Sequence, residues 1–282
     1  MNRNALSGIR TGVPAVLCVI IRLARIYLVV RIHPHMHRNP MHEEIDNKPS
    51  YITIVIPIYN EEAILQASIA GLTEALEDFS WSWRILLSEN GSTDRTREVA
   101  AKLIERHPEV SIIHSDEPNY GKALRRGILA SDSPIIICDE IDLCDVDFYN
   151  RAMVELEAGA DLVVGSKTLD RSLDKRPAFR RLATQVINFL LWVFLGFEGT
   201  DTHGLKAFKR ERLLAVVRKC VVDRDLFASE FVIRAGRMNY RVTEIPVEVI
   251  EKRAPSIALT RRVPNVLKGI AKLFWVIRIK NR

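Results

Sequence analysis

Four short, largely apolar runs limit what this chain can become: each ends in a polar cluster and precedes a stretch of helical spacing, and the first is almost wholly β-branched. The first, Ile52-Thr53-Ile54-Val55-Ile56, is near-continuously apolar, as a strand covered on both faces must be. It runs into Pro57-Ile58-Tyr59-Asn60-Glu61-Glu62 and a helical stretch over 63–76. The second, 83–87, runs into Ser88-Glu89-Asn90-Gly91-Ser92-Thr93-Asp94-Arg95-Thr96, with a helix over 97–105. A third, 110–114, leads to Asn119-Tyr120-Gly121-Lys122 and a helix through Ala130. The fourth, 134–138, ends in Asp139, Glu140, Asp142 and Asp145, with Asp147 close behind.

Strands alternating with helices imply right-handed crossovers and a mainly parallel sheet with helices on both faces. Ligands of such sheets bind outside the carboxyl ends of the strands, where all four polar clusters fall. Singly, each cluster is explained by helix capping, Ser92, Thr93 and Asp94 being good capping residues. Four of them converging on one edge point to a site. The acids of the fourth cluster suit a hard divalent cation, Mg²⁺ or Mn²⁺, and the phosphates it carries. Read alone, the same acids also suit the positive end of a helix dipole.

With 282 residues, 48% of them hydrophobic, the chain can bury one large α/β core. Its charge is segregated. Residues 1–40 hold six arginines and no acid, residues 253–282 hold eight basic residues and no acid, and all 35 acidic residues fall between. The basic ends are interleaved with aliphatic residues and lack the aromatic platform that single strands stack on, so nucleic acid is not an expected partner. An anionic membrane surface fits better. From Val263 the apolar positions Val266, Leu267, Ile270, Phe274 and Ile277 recur at helical spacing with Lys268 and Lys272 between them, which is a basic amphipathic helix. The apolar run 13–30 has the minimum length for a membrane span. Its aliphatic side chains contribute roughly −3 to −7 kcal/mol to insertion, and Arg22 and Arg25 oppose with about +5 to +7, so the sum is near zero. An interfacial segment is expected, a span is left open, and a cleaved leader is not expected because the run ends without a small-residue cleavage pattern. Cys18, Cys138, Cys144 and Cys220 form no CxxC pair and read as reduced thiols of a cytosolic compartment.

The motifs of 51–259 taken in order resemble glycosyltransferase family 2 enzymes of the GT-A fold, and among them the dolichol-phosphate and polyprenyl-phosphate sugar transferases. The family's Pro-x-Tyr-Asn-Glu stands as Pro57, Tyr59, Asn60 and Glu61, and its Asp-Asp-Gly-Ser-Thr-Asp as Glu89, Asn90, Gly91, Ser92, Thr93 and Asp94. The resemblance implies that Pro57, Tyr59, Glu61 and Glu89 hold the base and ribose of a nucleotide sugar, GDP- or UDP-linked, while Asp94 supports the turn. Asn90 and Lys122 join this donor-binding set. The family's Asp-x-Asp is aligned through Leu143, which makes Glu140 and Asp142 the metal pair on one side of an extended chain and Asp139 an additional acid at the strand end.

Later motifs follow the family's order. Val163-Val164-Gly165-Ser166-Lys167 is similar to its Gly-Ser-Arg turn, and Arg180 and Arg181 match its paired arginines before an apolar helix over 182–197. The segment 201–208 resembles Asp-x-x-Ser-Gly-Phe-Arg-Ala-Phe, with His203 in place of Ser, and Glu230 falls on the late helix. The family's Arg-x-x-Gly-x-Ser-Lys-Leu keeps Arg253 and Ser256 but not its Lys. A lipid phosphate acceptor is already an anionic nucleophile and needs cations such as Lys167, Arg180 and Arg181 to position it, whereas a sugar hydroxyl needs a base, for which Glu230 is the candidate; the alternative reading of Glu230 is a structural pair with an arginine. The expectation is an inverting transferase moving one sugar to a polyprenyl phosphate at the cytoplasmic face of a membrane, peripheral or monotopic. A family 2 enzyme building polysaccharide or glycolipid on a hydroxyl is the alternative, and a non-catalytic nucleotide-binding scaffold a third. The expected division is a basic apolar segment and linker over 1–48, a catalytic domain over 49–252, and a basic amphipathic segment over 253–282.

Overall fold

The computed structural model describes residues 51–170, 172–175, 177–248 and 259–280. The segment 1–48, Arg253 and Ser256 lie outside the described residues. Strands β1 (Tyr51–Ile58), β2 (Ser82–Glu89), β3 (Val110–Ile113), β4 (Ile135–Cys138), β5 (Leu162–Ser166), β6 (Lys206–Lys209) and β7 (Val242–Pro246) form one sheet in the order β3-β2-β1-β4-β6-β5-β7. All pairings are parallel except those of β6, which runs against both β4 and β5. Helices α1 (Leu65–Ala75), α2 (Thr96–Arg106) and α3 (Tyr120–Ala130) connect the first four strands. After β4 come α4 (Val146–Glu157), α5 (Ala178–Leu195), α6 (Arg210–Lys219), α7 (Phe227–Arg237) and α8 (Leu259–Phe274).

The two-residue period of an extended chain divides the core into two layers. Ile52, Ile54, Ile56 and Ile58 of β1 pack with Leu65, Ile69 and Leu72 of α1 and with Phe148 and Tyr149 of α4. Val55, Ile136 and Cys138 face the other way, toward Leu124 of α3, Phe231 of α7 and Leu273 of α8. Nearly every position of β1 and β4 is therefore apolar, as burial on both faces requires. The amphipathic C-terminal helix is part of this second layer, through Ile270, Leu273 and Ile277.

Two details differ from expectation. Helix α5 begins at Ala178, so Arg180 and Arg181 lie inside its first turn rather than ahead of it. It stops at Leu195 because Gly196 takes a left-handed conformation (φ +69°) that is easiest for glycine. Strand β6 is a reversed insertion between β4 and β5, and its reversal places the first residue, Lys206, opposite Cys138 at the carboxyl edge.

Candidate active site

The loops after β1 and β2 are stitched together by side chain to backbone hydrogen bonds. Asn60, held at φ +55°, accepts the Thr93 amide (2.8 Å) and donates its own amide to Ser92 Oγ (3.0 Å). The Glu61 amide donates to Thr96 Oγ1 (2.7 Å). Asp94 accepts the Thr96 amide (3.0 Å) and the Glu62 amide (3.2 Å), so it supports the turn that leads into α2. Burial opposes its ionisation, but the bonds from Thr96 and Glu62 outweigh that and hold the carboxyl below its usual range. Asn90 accepts the Asn119 amide (2.7 Å) and ties this loop to the start of α3.

Glu89 is tied into the turn that follows β2. It is fully buried, accepts the Ser92 amide (2.5 Å) and Arg97 Nε (2.9 Å), and lies 3.3 Å from His114 Nδ1. These bonds overcome its burial and keep it ionised below the usual range. The longer side chain that replaces the family's Asp reaches back into the turn, where Ser92, Arg97 and His114 engage both carboxylate oxygens. Tyr59, partly exposed beyond Pro57, keeps an accessible ring on this loop.

The acids at the end of β4 separate into two kinds. Asp139 is buried and accepts the Glu140 amide (2.5 Å), the Asp145 amide (3.3 Å) and the Tyr149 hydroxyl. Burial pushes its carboxyl up to about 7 against those bonds. Its oxygens fix the strand end and the start of α4 rather than facing a ligand, which corrects its expected place among the metal ligands. Asp145 caps α4 by accepting the Phe148 amide (2.9 Å). Glu140 and Asp142 are half-buried. They do not lie on an extended chain: the Leu143 amide donates to the Glu140 carbonyl (2.9 Å) and closes a turn. Burial raises the Glu140 carboxyl, Lys167 and Lys206 draw it down, and Asp142 and Asp201 act against them.

Lys167 Nζ lies 3.4 Å from Asp201 Oδ2. Asp201 is buried, accepts the His203 amide (2.8 Å) and is held below the usual range, chiefly by Lys167, in spite of burial. Lys206 is buried, donates to the Gly204 carbonyl (2.6 Å), and is lowered by burial. The sequence marks Asp201 and Lys206 only as parts of a motif; the structure adds them to the site. Gly204 makes this possible, since a Cβ there would stand 1.6 Å from the Gly165 carbonyl oxygen. Beside Lys167, a cavity of 560 Å³ is lined by Thr168, Asp174, Arg181, Gln185, Asn188 and Thr200. Arg180 is half-buried one residue earlier on α5.

Two expected site residues are elsewhere. Lys122 pairs with Glu117 (2.7 Å) on a separate groove of 310 Å³ that it shares with Arg224, Lys268 and Lys272. Glu230 is fully buried; it accepts the Val221 and Val222 amides (2.7 Å each) and Arg234 Nε (2.7 Å). Both oxygens are engaged, so it is not presented to an acceptor as a base.

Among the described residues no three His, Cys, Asp or Glu side chains are grouped to hold a metal. Two half-buried hard oxygen donors on one turn, Glu140 and Asp142, fit an ion shared with phosphate oxygens, the usual way a protein holds Mg²⁺. A mostly parallel sheet with one reversed strand, with polar loops and an acid pair along its carboxyl edge, is the architecture of the GT-A fold.

Comparisons with known proteins agree. The profile described as Glycosyl transferase family 2 matches residues 53–214. Glycosyltransferase AglD of Haloferax volcanii is 27% identical over 238 residues, covering 82% of this chain, which in turn spans only 38% of that protein's length. An uncharacterized glycosyltransferase of Mycobacterium bovis is 31% identical over 80% of this chain and 97% of its own. A dolichyl-phosphate beta-glucosyltransferase of Trichomonas vaginalis is 28% identical over 75% of this chain and 70% of its own. Among solved structures, glucosyl-3-phosphoglycerate synthase from Mycobacterium tuberculosis in complex with Mn²⁺, UDP and glucosyl-3-phosphoglycerate superposes with a TM-score of 0.58. That match has 18% identity and covers 80% of this chain and 79% of the other. The chain belongs to glycosyl transferase family 2.

Proposed function

We propose that the protein is an inverting transferase that moves one sugar from a GDP- or UDP-linked donor to a polyprenyl phosphate at the cytosolic face of a membrane. The observation that carries this reading is the engagement of Glu230. With that carboxylate bonded to two amides and an arginine inside the fold, the acceptor is best one that arrives already ionised. A phosphate nucleophile needs positioning and positive charge rather than deprotonation. Lys167 and Arg181 supply the charge beside the cavity, with Arg180 next to it. The dolichyl-phosphate relative supports a lipid phosphate as acceptor.

On the donor side, the ring of Tyr59 offers an apolar face for the nucleoside, with Pro57, Glu61, Asn90 and Asp94 shaping the loops that carry it and Glu89 bracing them from below. Arg253 and Ser256 are retained as phosphate contacts by resemblance, and Lys122, paired with Glu117 on its own groove, is left out of that set. Glu140 and Asp142 would hold Mg²⁺ or Mn²⁺ together with the donor diphosphate, where the ion neutralises charge on the departing nucleotide. The Mn²⁺ and UDP found with the fold neighbour support this pairing. Residues 1–48 precede a catalytic domain over 49–252 as a basic membrane-proximal segment, with an N-terminal span as one form of anchor, and 253–282 adds its basic charge through a helix that packs into the domain's core.

Donor turnover tests the enzymatic part of the proposal. Nucleotide release from GDP- and UDP-sugars is expected with Mg²⁺ or Mn²⁺ and is expected to fall at least roughly a hundredfold with EDTA, the scale of a lost electrostatic contact to the leaving group. Nucleotide sugars bound but not turned over with either ion present would favour a scaffold protein instead.

A further inference from the structure

Helix α5 is inside out. Phe179, Leu182, Val186, Phe189 and Val193 recur at helical spacing on its outer side, with Phe179, Leu182 and Phe189 60%, 61% and 59% exposed. Its polar side faces the domain instead: Arg181 Nη1 donates to the Asp174 carbonyl (3.3 Å) and Asn188 Nδ2 to the Thr200 carbonyl (2.5 Å). A helix on a surface that meets only water carries the opposite pattern. The apolar face does not end with α5. The Phe194 ring meets Phe274 of α8 edge-on at 6.1 Å, and Arg278 Nε donates to the Phe194 carbonyl (3.4 Å). Trp275 and Ile279, in the π-helical turn that continues α8, are 54% and 55% exposed.

We propose that the outer face of α5, continued by the end of α8 and the Trp275–Ile279 turn, is a docking surface for the interfacial layer of an anionic lipid bilayer. The proposal rests on reading the acceptor as a membrane lipid, and it names the part of the catalytic body that meets the membrane. Charge selects the occupant. Neither 178–195 nor 259–280 contains an acid, and at the α8 end of the face the exposed Arg278 and Lys280 stand beside the exposed Trp275 and Ile279. A second copy docking face to face would set these cations against one another. Anionic headgroups would complement them, and Trp192 and Trp275 are of the type that settles at the headgroup level.

The helix lies on the bilayer rather than across it. Its 18 residues have the length and hydropathy of a short span, but Leu191 and Leu195 are buried in the core. With the bonds of Arg181 and Asn188 they hold its inner side along the domain. Docked this way, α5 carries the cavity beneath it, with Arg181 on its wall, to the level where a lipid phosphate lies.

The test is sedimentation of the full chain, without donor, with phosphatidylcholine vesicles containing or lacking phosphatidylglycerol. The chain is expected to bind the anionic vesicles, and Leu182→Gln combined with Phe189→Gln to weaken that binding by about tenfold or more, as loss of buried apolar area at the interface requires. Trp192 fluorescence is expected to be quenched by lipids brominated near the headgroup. An unchanged melting curve shows that the variant folds. Equal vesicle binding by the variant would overturn the proposal, and so would a self-associated parent that the variant converts to monomer without changing vesicle binding. Sugar transfer to a water-soluble short-chain polyprenyl phosphate separates the two readings: transfer without docking sinks only the docking surface, and docking without transfer sinks only the acceptor.

Discussion

Asp142→Asn is expected to lower the turnover number for sugar transfer by roughly 10²–10³-fold, the loss seen when one preorganised electrostatic contact to a developing charge is removed. The substitution keeps shape and removes a negative charge that, with Glu140, is proposed to hold the cation shared with the donor diphosphate. Donor binding should weaken as well, because that cation is shared. Asp139→Asn provides the contrast. Asp139 is buried among the Tyr149 hydroxyl and the Glu140 and Asp145 amides, so its replacement should reduce thermal stability more than turnover per folded molecule. Single-turnover rates with saturating donor, alongside melting curves, separate the two. Equal losses of turnover in both variants would contradict the division of roles along β4.

Glu230→Ala is expected to destabilise the fold by about 3–5 kcal/mol, the cost of leaving one partner of a buried pair uncompensated. It would leave Arg234 without its counter-charge and the amides of Val221 and Val222 without an acceptor. For a domain of this size the melting temperature should fall by roughly 6–20 °C. Glu230→Gln tests the same point more gently, since its amide must turn one donor toward either Arg234 or the two backbone amides. A smaller loss of stability with most of the turnover retained is expected. A Gln variant as stable as the parent but without turnover would restore Glu230 as a catalytic base and the hydroxyl acceptor with it.

What the sequence shows follows from local rules, and what it hides follows from long-range partners. Strands buried on both faces announce themselves through runs such as Ile52-Thr53-Ile54-Val55-Ile56, and the loops after them through capping residues, so the parallel sheet and its functional edge are legible. Strand β6 is not. It is four residues long, begins and ends in lysine, and forms only because β4 and β5 lie on either side of it. Asp-x-Asp spacing identifies Glu140 and Asp142 but not the turn that holds them. The standing of Glu89 and Glu230 is equally hidden in part. Their motif positions suggest a ligand, yet Arg97 and His114 claim the first, and the amides of 221–222 claim the second. Only Arg234, four residues along the same helix, is visible from spacing. The outward apolar face of α5 needs the structure too, because a periodic apolar stripe does not say which side faces the core.

The central claim, that an already ionised lipid phosphate accepts the sugar, is tested most directly by mass spectrometry of products. The purified full chain would be incubated with Mn²⁺ or Mg²⁺, a panel of GDP- and UDP-sugars, and matched polyprenyl phosphate and polyprenyl alcohol acceptors. The account predicts a polyprenyl-phosphate hexose as the new species, with none formed on the alcohol. Product on hydroxyl acceptors alone would contradict it.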